Sequence, residues 1–106
     1  MAVDSGPTLG RELLNALEAV TSLIPKAVSP QDLNNLRAMR ARLIEQIGTL
    51  IDTNLDRSSQ EYRAATSGLQ GASASIRSAI SGMESVAKAV ETLAKGLDLV
   101  SRLIAA

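Results

Sequence analysis

From Tyr62 to Ile104, apolar residues recur at alternating spacings of three and four: Tyr62, Ala65, Leu69, Ala72, Ile76, Ala79, Met83, Val86, Val90, Leu93, Leu97, Val100 and Ile104. No Pro interrupts the stretch. A repeat of about 3.5 residues held this long predicts one continuous helix whose apolar stripe must be buried against other helices. A helix of ~45 residues would measure ~68 Å at ~1.5 Å per residue. That exceeds the span of a compact core built from 106 residues. The spacing therefore predicts an all-α chain, an elongated helical hairpin or a three-helix bundle with one long C-terminal helix carrying a heptad seam.

The rest of the chain supplies two shorter helices. Residues 1–7 read as a flexible tail ending in Gly6-Pro7. Thr8 is placed to cap a first helix of about 8–24, in which Leu9, Leu13, Leu17, Val20 and Ile24 recur at helical spacing. Pro25 stops it. Ser29-Pro30-Gln31-Asp32 combines a cap oxygen, a Pro at the first helical position and an acid in the first turn, so a second helix of about 30–56 begins there. Leu36, Leu43, Ile47 and Leu50 form one ridge of it, and Leu33, Ile44, Ile51 and Leu55 a second. Asn54 is a polar residue suited to setting register. Ser58-Ser59-Gln60-Glu61 fits a capping box at the head of the third helix, about 59–105. Residues 8–106 thus make a single helical domain, with Leu, Ile, Val and Ala filling a core that has no Phe, no Trp and one Tyr.

If the second helix pairs antiparallel with the third, Leu55 lies near Tyr62 and Leu33 near Val86. Residues from Val86 onward are then left bare or covered only by the first helix. Val90, Leu93, Leu97, Val100, Leu103 and Ile104 are accordingly the candidate interaction residues, and Gly82 and Gly96 would let a neighbouring backbone approach. Gly68, Gly71, Gly82 and Gly96 all fall inside the long helix, at ~1 kcal/mol each relative to Ala.

Charge narrows the function. Eleven Lys and Arg balance eleven Asp and Glu, so the basic excess of a nucleic-acid binder is missing. Arg37, Arg40 and Arg42 form a possible basic docking patch for an acidic protein, anionic lipid or phosphate, set against a solvated face with Asp32 and Glu45 as local partners. Glu84 and Lys88, Glu91 and Lys95, and Asp98 and Arg102 are i, i+4 pairs on the outward face. With no Cys and no His, thiolate chemistry, the commonest general base and the commonest metal ligand are all missing. No Gly-Lys-Ser/Thr phosphate loop is present. No catalytic, cofactor or metal residue is assigned.

No window is long and apolar enough for a membrane span, and the first residues lack the blocks of a signal peptide. The expectation is a cytoplasmic, non-enzymatic assembly or interaction module, pairing with itself or with a helical protein. The alternative is a membrane-active or translocation-related helical protein exported without a cleavable signal.

Overall fold

The computed structural model describes residues 8–51 and 59–105. They form four α-helices: α1 (Leu9–Leu23), α2 (Pro30–Ile51), α3 (Gln60–Ile80) and α4 (Val86–Ala105). A 3₁₀ turn, Ile24–Lys26, follows α1 and contains Pro25. Among the described residues there is no strand. Hydroxyl side chains open all four helices. Thr8 accepts from the Arg11 amide, Ser29 from Asp32, Ser59 from Tyr62 and Ser85 from Lys88, at 3.3, 3.2, 3.1 and 3.1 Å. Each satisfies one of the amides that a helix start leaves unpaired. The cap of α3 is Ser59, one residue beyond the Ser58 of the proposed box.

The long C-terminal helix that the spacing predicts is two helices. Ser81 to Ser85 turn the chain between α3 and α4. Gly82 sits at φ +79, a conformation that glycine adopts without a Cβ clash. Its amide donates to the Ala79 carbonyl, and the Met83 amide donates to Ser78. This paired 5→2 and 6→1 pattern is the Schellman end of a helix. Gly82 therefore terminates a helix rather than weakening the middle of one.

Helix directions follow from individual contacts. The Leu9 amide donates to the Tyr62 hydroxyl at 2.8 Å, so α1 and α3 start together and run parallel. A Cβ built on Gly10 would lie 3.5 Å from Leu50, so the start of α1 meets the end of α2 and the two run antiparallel. Gly68 faces Gly96, and the Ser75 hydroxyl donates to the Glu84 carboxylate, so α4 runs back along α3. Arg42 meets Asp98 and Gln46 meets Ser101, so α2 and α4 are parallel. The helices close a ring in the order α1, α2, α4, α3. The expected pairing of the second helix with the third is thus replaced. Once the 81–85 turn returns the chain, α4 occupies that place, and α2 packs on α1 and α4.

The bundle measures 45 × 25 × 20 Å, well short of a ~68 Å rod. Its centre is made of Leu9, Leu13, Val20, Leu23, Leu36, Leu43, Leu69, Ile76, Leu93, Leu97 and Val100, all fully buried. Ala16, Ala65, Ala72 and Ala89 fill the narrow places between them. The apolar stripe from Tyr62 faces this centre on both sides of the turn, apart from Met83 at the turn itself. The end of the second helix, with Asn54 and Leu55, and the tail 1–7 lie outside the described residues, as does the side chain of Ile51.

Tyr62 joins two helix starts through one hydroxyl. Phe at this position keeps the ring but leaves the buried Leu9 amide without its acceptor. The expected cost is about 1–2 kcal/mol, read as a lower urea midpoint at unchanged slope. A midpoint equal to the parent's would show that the bond contributes nothing.

Candidate functional site

The C-terminal residues expected to stand open are mostly inside the fold. Leu93, Leu97 and Val100 are fully buried and Leu103 is nearly so, while Val90 and Ile104 are half-buried. The return of α4 along α3, together with the flank of α2, covers them within one chain. Gly96 also works internally. A Cβ there would lie 3.3 Å from the Gly68 carbonyl oxygen and 3.4 Å from its carbon. The missing side chain permits the close crossing of α3 and α4. Gly82 forms the turn. The bare patch expected of the six apolar residues therefore does not form: a fold-back too tight to be read from spacing takes them into the bundle.

The three arginines separate. Arg37 is exposed on α2 and Arg40 is half-buried. Arg42 turns towards α4, where its guanidinium donates to Asp98 at 2.8 Å and to the Ser101 hydroxyl at 3.0 Å. Its partner is Asp98 across the interface, in place of the local Glu45. Both side chains keep solvent contact, which limits such a pair to about 0.2–1 kcal/mol. Of the expected i, i+4 pairs, Glu91 and Lys95 lie 3.5 Å apart on the surface.

Beside Arg42 lies a feature that sequence reasoning missed. The Gln46 amide nitrogen donates to the Leu97 carbonyl at 3.1 Å and to the Ser101 hydroxyl at 3.0 Å. Gln46 is buried, and its Oε1 has no partner. A shallow cleft of about 190 Å³ opens next to it, lined by Glu45, Gln46, Thr49, Ser101 and Ile104. Ser101 accepts from an arginine and an amide here. Neither can take its proton, so this geometry does not activate it as a nucleophile. The only hint in the sequence is a polar residue three positions after Leu43 on an otherwise apolar face.

The outer surface carries the other unexpected residues. Leu14 on α1 is 51% exposed and Ile44 on α2 is 55% exposed. Leu14 follows Gly10 by four and Leu17 by seven, so all three share the stripe of α1 that faces α2. The meeting of Gly10 with Leu50 brings Leu14 and Ile44 to nearly the same height on the two antiparallel helices. Ile44 belongs to the second ridge expected on this helix, and that ridge faces partly outward.

Among the described residues, no group of His, Cys, Asp and Glu is arranged to hold a metal ion. No described helix is long and apolar enough to cross a membrane. No protein-family model, no curated protein and no solved structure matches the chain.

Proposed function

We propose that this chain is a non-enzymatic helical assembly module that associates, with a second copy of itself or with another helical protein, through the outer face of the α1–α2 pair. The observation that carries this reading is the exposure of Leu14 and Ile44 at one height on neighbouring helices, with Leu17 and Ile47 half-buried beside them. Fully burying a large aliphatic side chain is worth ~1.5–3 kcal/mol, so matching two such stripes favours contact. The balance of charges adds no long-range repulsion between copies. The self-associating form is the one to test first.

Light scattering at micromolar concentration is expected to give a dimer or larger species for the parent chain. A Leu14→Asp, Ile44→Asp chain should fall to monomer mass with unchanged far-ultraviolet circular dichroism, because both positions lie outside the core. A parent that is strictly monomeric across that range removes the self-associating form. A variant that keeps the parent's oligomeric mass removes this face as the contact.

A further inference from the structure

The two most exposed large apolar side chains of the described residues lie outside the α1–α2 face. They are Val28, 96% exposed, and Met83, 84% exposed. Val28 lies in the connection between α1 and α2, and Met83 in the turn between α3 and α4. Because α1 and α3 run parallel, both connections come to the same end of the bundle. Two separate hairpins thus each hold one uncovered apolar residue at one pole. Met83 also departs from the usual helix end. In a Schellman motif the residue after the glycine commonly packs back on an apolar residue of the last turn. Here the facing positions are Arg77 and Ser78, and Met83 projects away.

The charges around this pole are not balanced like those of the whole chain. Lys26, Arg77 and Lys88 are exposed there. The acids are Glu84 and Asp32. Glu84 is half-buried and its carboxylate is held by the Ser75 hydroxyl, back along α3 and away from the tip. Asp32 is half-buried in the first turn of α2. The helix termini cancel, since two helices end and two begin at this pole. The outward charge is therefore basic, set behind two apolar tips.

We propose that this pole docks on an anionic membrane surface, with Val28 and Met83 entering the headgroup boundary and Lys26, Arg77 and Lys88 facing lipid phosphates and carboxylates. Apolar side chains enter the boundary while basic side chains remain at headgroup level, and each cation near an anionic surface strengthens the attachment several-fold. An aliphatic partner surface would match the tips but leave the three cations unanswered. An anionic bilayer answers both. This inference is independent of the α1–α2 face.

The test is co-sedimentation with phosphatidylcholine vesicles containing about one-third phosphatidylserine, beside vesicles of phosphatidylcholine alone. The full chain is expected to sediment with the anionic vesicles, more weakly as salt rises, and much less with the neutral ones. A Val28→Ser, Met83→Ser chain should bind about tenfold or more weakly, with unchanged circular dichroism and solution mass. A Lys26→Glu, Lys88→Glu chain should lose binding by a similar factor. The Leu14→Asp, Ile44→Asp chain should still sediment with the anionic vesicles, because both changes lie away from this pole. Failure of the parent to sediment overturns the proposal. So does equal binding to neutral vesicles, or a serine variant that binds like the parent. A serine variant that changes the solution mass instead assigns the tips to contact between copies, and also overturns it.

Discussion

A Gly96→Val chain is expected to lose about 2–3 kcal/mol of folding stability and to melt about 10–20 °C lower than the parent. Already at the Cβ, a side chain at this position meets the backbone of Gly68, which has no flexible end to move aside. The two branched methyl groups of valine would then push α3 and α4 apart along their whole contact. The gain in helix propensity over glycine returns only about 0.5 kcal/mol. Gly71 supplies the control. It is exposed in α3, with nothing within 4 Å of a built Cβ, so Gly71→Ala is expected to stabilise by about 0.5–1 kcal/mol. Thermal melts of the two variants should move in opposite directions. A Gly96→Val chain that melts with the parent would show that the close crossing is absent.

The second large effect concerns Leu97. It is fully buried in α4, and its carbonyl accepts from Gln46. Leu97→Ala is expected to cost about 2–5 kcal/mol. Leu97→Asp would place a carboxylate in the fully buried core, at a cost comparable to the entire stability of a small domain. That chain should show an unfolded circular dichroism spectrum, not a folded monomer. The result separates two roles that the spacing alone confuses. A residue in an intermolecular contact yields a folded, dissociated variant when charged, and Leu14 with Ile44 should do so. A residue in the core yields an unfolded one. A folded, monomeric Leu97→Asp chain would return the C-terminal residues to the interface.

Much of the helical character is legible in side-chain type and spacing alone. The caps at Thr8 and Ser29, the stop at Pro25 and the inward stripe from Tyr62 to Ile104 all follow from them. The turn at Ser81–Ser85 does not. The three-four spacing passes through Met83 and Val86 without losing phase, so periodicity cannot reveal the break. The local signals are present, a Gly to end one helix and a Ser three residues later to cap the next. An unbroken stripe outweighs them only if periodicity is ranked above turn chemistry, and here turn chemistry wins. The same five residues decide where the candidate site lies. A long straight helix leaves its second half bare, whereas a folded one buries it. The cross-helix partners of Arg42 and Gln46 are beyond reach for a different reason. They depend on which helix lies beside α2, and helical spacing describes each helix separately.

The polar seam between α2 and α4 bears on how many ways this interior can be assembled. The core is mostly Leu and Ala, set at helical spacing along the helices. Such surfaces fit one another nearly as well after a slip of one turn, about 5.4 Å, because aliphatic contacts carry little directional information. Hydrogen bonds do carry it. In a slipped arrangement Gln46 would lose both the Leu97 carbonyl and Ser101, and Arg42 would lose Asp98. For Gln46, which is buried, the loss would strand an amide between helices. Gln46 keeps an unpartnered oxygen in the native arrangement, so it is an inefficient stabiliser. Its larger effect is on degeneracy: it separates one packing from a family of near-equivalent ones that greasy side chains alone would leave in competition.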